Sequence, residues 1–307
     1  MKIMKIPDFW KKKKHWLGYV LFPFSLIYYA LFQLNKIKQS TFKKKINIKT
    51  ICVGNIYVGG TGKTPLTEKI YQSLKNVKRI CVIKKFRYSQ IDEINMLNSN
   101  TKIFTPKHRL NGILDAEHEG FEVAILDDGA QDYSFRKNLS ILCIKSNNGF
   151  GNEKILPAGP LREPLYSIKQ YQIAVINGEK NLEIENILKK FHKDIKIFYS
   201  NYSLMNKQDF LNKKFFAFSG ISDNESFFKL LKKNNIDIFE SKPFSDHHIF
   251  SDAEIESFIL KYKGKNIDLI TTEKNYHSIP LKYRKNIFFT KIELKIDNIK
   301  DFLNEIN

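Results

Sequence analysis

A chain of 307 residues has room for two domains and a substantial core, which excludes a small stapled scaffold. The three cysteines, Cys52, Cys81 and Cys143, lie in separate apolar runs with no C-x-x-C spacing, so inert core thiols in a reducing compartment are expected rather than disulfides. The formal charge of +19 suits a nucleic-acid ligand at first sight, but residues 1 to 50 hold 12 lysines against a single acid, Asp8, and Lys, Asn and Ile are abundant throughout, the pattern of an AT-rich genome rather than of a binding surface.

From Trp16 to Leu34 the sequence WLGYVLFPFSLIYYALFQL runs 19 residues without a charge, bracketed by Lys11-Lys12-Lys13-Lys14 before and by Lys36, Lys38 and Lys43-Lys44-Lys45 after. That length is at the low end for a bilayer span, Pro23 interrupts it, and lysines on both sides oppose the one-sided charge that orients a spanning helix. A helix lying in the cytoplasmic leaflet is expected, with an ordinary core helix as the competing reading. No small-residue cleavage site follows, which argues against a signal peptide.

The apolar run Ile51-Cys52-Val53 reads as a buried strand, and Gly54 to Pro65, GNIYVGGTGKTP, reads as a phosphate-binding loop. Within Gly59-Gly60-Thr61-Gly62 the glycines allow backbone conformations closed to other residues, so successive N–H groups can turn inward around phosphate oxygens. Lys63 then reaches the outer phosphates and Thr64 offers a hydroxyl to a bridging magnesium ion, while Leu66 to Leu74 forms the helix whose N-terminus faces the anion. Pro65 suits its first turn. Tyr57 stands where the strict G-x-x-x-x-G-K-[ST] pattern requires glycine, so this is a variant loop. A glycine-rich turn with a chance lysine is the alternative, opposed by the order of strand, loop, Lys-Thr and helix.

Arg79 to Ile83 reads as the next strand, with Lys84-Lys85-Phe86-Arg87-Tyr88 at its carboxyl end, the edge of a doubly wound sheet where ligands bind; these cations either hold phosphate or are solvated surface. Asp92-Glu93 follows, then a short strand at Lys102 to Phe104. Phe121 to Leu126 leads into Asp127-Asp128-Gly129, paired carboxylates at the end of a buried strand, able to hold magnesium directly or through water. After a strand at Leu139 to Ile144 comes a stretch from Asn147 to Leu165, NNGFGNEKILPAGPLREPL, whose Gly and Pro residues forbid a regular element. Strand-like runs then recur at 171–176, 195–199, 214–218, 236–239, 267–271 and 287–289 with amphipathic helices between them. The expected organisation is a basic, membrane-associating segment over 1–45, a phosphate-loop nucleotide-binding domain over 46–168 and a second, smaller α/β unit over 169–307.

In that second unit Asp246-His247-His248 invites a metal reading, but adjacent histidines point in different directions and no other His/Cys cluster has ligand spacing. A histidine braced by a carboxylate, tuning a catalytic acid or meeting phosphate, is the functional alternative to a satisfied structural one.

GNIYVGGTGKTP, the DDG-Q pattern at Asp127 to Gln131, GFGN with LPAGPLREPL over 149–165, DHH at 246–248 and Thr271-Thr272-Glu273-Lys274 together resemble the tetraacyldisaccharide 4′-kinase family over nearly the whole chain. The resemblance implies transfer of the ATP γ-phosphate, with magnesium, to the 4′-hydroxyl of a tetraacyldisaccharide 1-phosphate in lipid A biosynthesis, at the cytoplasmic face of the inner membrane of a Gram-negative bacterium. It implies further that Lys63 and Thr64 serve phosphate and magnesium, that Asp127 and Asp128 are the carboxylate pair, that Asp92 is the base and Glu93 a magnesium ligand, and that His247 or His248 assists Asp92. Two departures stand out. Ile83-Lys84-Lys85-Phe86-Arg87 occupies the place of the usual Ser-Arg-Gly-Tyr-Gly, and Asp132 that of a histidine.

Two other classes compete. A membrane-tethered nucleotide switch or ATPase with a protein partner leaves the long LPAGPLREP loop and the Asp-Glu pair unused. A nucleic-acid-binding ATPase predicts cations interleaved with aromatics along a groove, whereas here the basic excess brackets an apolar helix, so no nucleic-acid partner is expected.

Overall fold

The apolar runs that alternate with amphipathic stretches become strands and helices in nearly every case. The computed structural model describes residues 7–41, 43–221, 223–246 and 248–307; His247 and the side chains of Ser89 and Asp92 lie outside the described residues. In chain order the elements are α1 (Trp16–Val20), α2 (Phe22–Thr41), β1 (Lys49–Gly54), α3 (Lys63–Leu74), β2 (Ile80–Lys84), α4 (Ile91–Asn100), β3 (Ile103–Phe104), α5 (Arg109–His118), β4 (Val123–Asp127), β5 (Leu139–Lys145), β6 (Ile173–Asn177), α6 (Leu182–Phe191) and β7 (Lys196–Leu204). There follow β8 (Lys214–Ser219), α7 (Asn224–Lys233), β9 (Asp237–Pro243), α8 (Asp252–Tyr262), β10 (Asp268–Thr272), α9 (Glu273–Ser278), α10 (Leu281–Arg284), β11 (Ile287–Thr290), β12 (Ile292–Ile296) and α11 (Ile299–Ile306).

The contacts divide the chain into two compact units, the larger comprising 7–86, Asn100–Asn201 and Lys295–Asn307 and the smaller Arg87–Ser99 and Tyr202–Leu294. The expected boundary at 168 to 169 falls inside the larger unit. The reason is the register of β6, which continues the large sheet by pairing with β5 from Ile141↔Ile173 to Lys145↔Asn177.

That sheet has eight strands in the order β12-β7-β6-β5-β1-β4-β2-β3, parallel from β7 to β3. Strands β2 and β4 are buried at every residue, as parallel strands covered on both faces must be. The order places β1 between β5 and β4, where the connections diverge, and in such sheets ligands bind outside the carboxyl ends of the strands at that point. Cys52, Ile56, Ile83, Leu126, Leu142 and Ile176 build the core beneath it.

The smaller unit has four strands in the order β11-β10-β8-β9, all parallel. Alternate residues of β8 supply two separate cores: Phe216 and Phe218 pack with Phe250 and Phe258, while Phe215 and Ala217 pack with Phe227 and Leu231. In this unit α7 and α8 each start on a side-chain cap, Asp223 accepting from the Ser226 amide and Ser251 forming a capping box with Glu254.

The stretch from Trp16 to Leu34 is two helices. The chain breaks at Leu21, and Pro23, which lacks an N–H, sits in the first turn of α2. The faces of α2 are reversed from those of a water-facing helix. Ser25, Tyr28, Phe32 and Gln39 face the larger unit, with Ser25 Oγ donating to Ile155 O at 2.9 Å, Tyr28 Oη to Arg162 O at 3.1 Å, and Gln39 Oε1 accepting from the Tyr133 amide at 2.8 Å. Phe24, Ile27, Leu31, Leu34 and Ile37 are exposed on the other side, as is Trp16 on α1. No helix among the described residues is long and apolar enough to cross a membrane.

One close approach fixes the end of β1. A Cβ on Gly54 would lie 2.4 Å from Ala130 Cβ. Gly54→Ala should therefore lose about 1–3 kcal/mol in urea unfolding through overpacking, and adding Ala130→Gly should recover part of that loss. An unchanged unfolding midpoint for the single variant would mean that the turn after β4 yields instead.

Candidate active site

Beyond Gly54 the chain turns back over the end of β1. Asn55, fully buried, donates from Nδ2 to Tyr57 O at 2.6 Å and to Thr61 Oγ1 at 3.0 Å, which pins the loop from within. Gly59 and Gly62 have φ of 116° and 91°, values that L side chains rarely adopt, so these two glycines are required by the path of the loop. Gly62 is also the N-cap of α3 and offers no side-chain acceptor to that helix, which leaves the first-turn amides to an anion.

At the start of α3 Lys63 and Thr64 point to the end of β4. Lys63 Nζ lies 3.6 Å from Asp128 Oδ1, and Thr64 Oγ1 donates to Asp127 Oδ2 at 3.1 Å. Asp127 is completely buried, and Lys84 Nζ, from the end of β2, meets the same Oδ2 at 2.5 Å. Asp127 Oδ1 is buried without a hydrogen-bond partner. Asp128 has φ of 55°, which swings its carboxylate toward Lys63 and toward Arg162, whose Nη1 lies 3.1 and 3.3 Å from its two oxygens. Burial works to raise the Asp128 carboxyl, but Lys63, Arg162, Arg109 and Lys84 outweigh it and hold the group well below the usual carboxylate range.

Three residues of this constellation have no assignment from sequence. Arg109, at the first position of α5, donates from Nη2 to Asp127 O at 3.2 Å and Asp128 O at 2.6 Å, clamping the backbone of the carboxylate turn. A lone arginine at a helix start carries no motif signal. Arg162 and Glu163 belong to the LPAGPLREP string, where the signal was the string itself rather than a role for either residue. That loop lines the outer side of the phosphate loop: the Val58 amide donates to Pro160 O at 2.9 Å and the Arg162 amide to Ile56 O at 2.8 Å. Glu163, fully buried, accepts from Gln131 Nε2 at 2.6 Å, Tyr133 Oη at 3.0 Å and Gln170 Nε2 at 3.1 Å.

The remaining expected residues fall in the smaller unit. Asp92 and Glu93 lie in the first turn of α4, and Lys274 Nζ stands 3.6 Å from Glu93 Oε1 and 3.5 Å from Asp246 Oδ1. His248 Nε2 lies 3.1 Å from Glu254 Oε1, so the carboxylate that braces it comes from α8 and not from the neighbouring Asp246. The structure thus gathers Lys63, Thr64, Lys84, Asp127 and Asp128 in one unit, and Glu93, Asp246 and His248 in the other.

A glycine-rich loop between a central parallel strand and a helix, with Lys-Thr at the helix start and a buried carboxylate beside the threonine, defines a phosphate-loop nucleotide-binding protein. The model of the tetraacyldisaccharide-1-P 4′-kinase family matches residues 17–85 and 89–307. The tetraacyldisaccharide 4′-kinase of Pelagibacter ubique is 38% identical over 311 residues, covering 100% of this chain and 98% of that protein, and the one from Rickettsia felis is 31% identical over 97% of this chain and 95% of its own. The crystal structure of LpxK from Aquifex aeolicus in complex with ATP superposes with a TM-score of 0.73 at 25% identity, covering 94% of this chain and 98% of that one. The chain belongs to the tetraacyldisaccharide-1-P 4′-kinase family.

Magnesium in phosphoryl-transfer sites is held by one or two protein oxygens and by substrate phosphates. The unpartnered Asp127 Oδ1 and the Thr64 hydroxyl are hard oxygen donors that fit it.

Lys84 and Asp127 are 3% and 0% exposed at their side chains, so the pair is fully desolvated. Lys84→Met should cost about 3–5 kcal/mol in thermal or urea unfolding, because it leaves a buried carboxylate without its cation. A loss below about 1 kcal/mol, the scale of an exposed pair, would show that Thr64 and solvent suffice for Asp127.

Proposed function

We propose that this protein transfers the ATP γ-phosphate to the 4′-hydroxyl of a tetraacyldisaccharide 1-phosphate, with magnesium, while docked on the cytoplasmic leaflet of the inner membrane. The observation that carries the reading is the Thr64 hydroxyl set 3.1 Å from the buried Asp127 carboxylate, directly behind the left-handed Gly62. In phosphoryl transfer the bond from the acceptor oxygen to the γ-phosphorus forms as the bond to the β-bridging oxygen breaks, and catalysis is positioning plus charge stabilisation. The first-turn amides of α3 and the Lys63 ammonium meet the developing negative charge. Magnesium, when bound by Thr64, Asp127 and Asp128, supplies further neutralisation of the phosphates. Asp92 orients the acceptor hydroxyl and takes its proton late, with Glu93 as a further metal ligand and a histidine of the 247–248 pair assisting Asp92.

The reversed helix α2 supports the membrane part. Its polar side is spent on bonds to Ile155, Arg162 and Tyr133, so the apolar side facing outward, between runs of lysine, suits an anionic lipid surface rather than nucleic acid. Each lysine near such a surface adds about 1 kcal/mol, which salt screens, while the burial of Trp16, Phe24 and Leu31 is insensitive to it.

Lys63→Ala and Thr64→Ala should each abolish phosphate transfer with the fold retained, and Asp92→Ala should lower kcat by about 10²-fold or more while ATP binding persists. Labelled-phosphate transfer from ATP to the glycolipid is the measurement. Turnover by the Lys63 and Thr64 variants near that of the parent would sink the phosphate-loop assignment, and ATP hydrolysis indifferent to the glycolipid would sink the kinase reading. In liposome flotation the chain lacking residues 1–40 should stay in the soluble fraction; equal flotation of both forms would move membrane contact to another surface.

A further inference from the structure

Within the smaller unit one ammonium joins carboxylates from two separate segments. Lys274 Nζ lies 3.6 Å from Glu93 Oε1 on α4 and 3.5 Å from Asp246 Oδ1 in the loop between β9 and α8, and the three side chains are only 17, 20 and 25% exposed. Lys274 is the second residue of α9, at the carboxyl end of β10, where the backbone is tied down on all sides. Thr272 caps α9 by accepting from the Asn275 amide at 3.2 Å, Asn275 Oδ1 accepts from the Gly220 amide at 2.8 Å, and Thr271 Oγ1 donates to Phe218 O at 2.7 Å.

The described residues on either side of Asp246 are closely packed. A Cβ on Gly220 would come within 2.8 Å of His248 Cβ and 3.0 Å of Ser245 O, and Asn224 Nδ2 donates to Phe244 O at 2.8 Å. The His248 ring packs on Phe244 and Phe250, with centroids 4.6 and 4.8 Å away. The lysine thus grows from the sheet and grips two segments that bear the Asp-Glu pair and the histidines.

We propose that Lys274 is a positioning residue, whose ammonium ties the first turn of α4 to the loop over 246–248 and so holds the acceptor-activating groups of both segments in one register. The proposal rests on the kinase reading above and assigns a role to the Thr271-Thr272-Glu273-Lys274 motif. A lysine that only decorated the surface would be exposed and replaceable. Here its removal leaves two carboxylate oxygens no more than about 7 Å apart across a largely buried space, where their repulsion drives the segments apart.

The test uses the full chain with Lys274→Met, Lys274→Arg, Asp246→Asn and the double variant Lys274→Met with Asp246→Asn. It reads steady-state glycolipid phosphorylation and the binding of a fluorescent ATP analogue. Lys274→Met is expected to lower kcat by about 10²-fold with both KM values within about threefold of the parent, and Lys274→Arg to return to within about tenfold. Nucleotide affinity is expected to be unchanged in all four. The double variant should lose less than the product of the single losses, because removing Asp246 relieves the repulsion that Lys274→Met creates. A kcat for Lys274→Met within about threefold of the parent, a loss confined to the glycolipid KM, or strictly multiplicative losses in the double variant would each overturn the proposal. Should circular dichroism show Lys274→Met unfolded, Asp246→Asn decides: about a tenfold fall in kcat at unchanged KM is expected, and a parental kcat overturns it. A parent chain that transfers no phosphate to the glycolipid overturns the kinase reading and this proposal with it.

Discussion

Two adjacent carboxylates buried at the end of β4 set the constraint to which the larger unit answers. Asp127 is wholly buried and Asp128 nearly so, and neither charge can remain there without cations and donors gathered around it. The neighbours come from four places in the chain: Lys84 from the end of β2, Lys63 from the start of α3, Arg109 from the start of α5, and Arg162 from the loop before Pro164. Each lies at or beyond an element terminus on the carboxyl side of the sheet, so satisfying the carboxylates also fixes the edge at which phosphate binds. Asp127 Oδ1 is buried without a partner, as is Arg109 Nε in the same cluster, so the satisfaction is incomplete on the residue that bonds Thr64.

The LPAGPLREP loop links this centre to the amino-terminal helices of the same unit. Trp10 Nε1 donates to Pro157 O at 3.0 Å, and Ser25 Oγ accepts from the Ala158 amide at 3.1 Å while donating to Ile155 O. Two residues further on, the same segment bonds the phosphate loop through Pro160 O, and then delivers Arg162 to Asp128. The segment closes on itself through the Leu156 amide to Leu161 O at 2.9 Å, the Gly159 amide to Ile155 O at 3.0 Å and the Leu161 amide to Lys154 O at 3.1 Å, and it makes further backbone bonds on one side to the amino-terminal helices and on the other to the phosphate loop. That division of bonds is why the polar residues of α2 face inward and its apolar ones outward.

Much of this was legible in the sequence, and the failures have physical causes. The parallel strands are legible because strands covered on both faces are continuous apolar runs, as 80–83 and 123–126 are. The phosphate loop was read despite Tyr57 because backbone conformation, not that one side chain, binds phosphate; Tyr57 instead bridges to Leu161. Strand β12 is hard to separate in sequence although Ile292-Glu293-Leu294-Lys295-Ile296 alternates, since it follows β11 after a single residue and the two runs merge. The smaller unit's claim on residues 87–99 had no signal, because α4 is an ordinary amphipathic stretch whose membership is decided by long-range contacts. Arg109 was invisible for the same reason: what makes it matter is two carbonyls eighteen or nineteen residues away.

The two departures from the family's usual residues are each matched to their surroundings by charge. Lysine at position 84 lacks the bidentate fork of arginine, but the oxygen it meets, Asp127 Oδ2, also accepts from Thr64, and a compact ammonium reaches it at 2.5 Å in a space that excludes solvent. The acid at position 132 does not add to the carboxylates of the site. Its Oδ1 folds back to accept from Ser134 Oγ at 2.6 Å and the Ser134 amide at 3.2 Å, closing a local turn, and its Oδ2 lies 3.9 Å from Arg109 Nη1. Arg109 clamps the carbonyls of Asp127 and Asp128 from the other end of its guanidinium, so Asp132 braces the clamp from behind. The charge at each departure is thereby absorbed within the larger unit, and neither Lys84 nor Asp132 leaves an unmatched charge beside the phosphate loop.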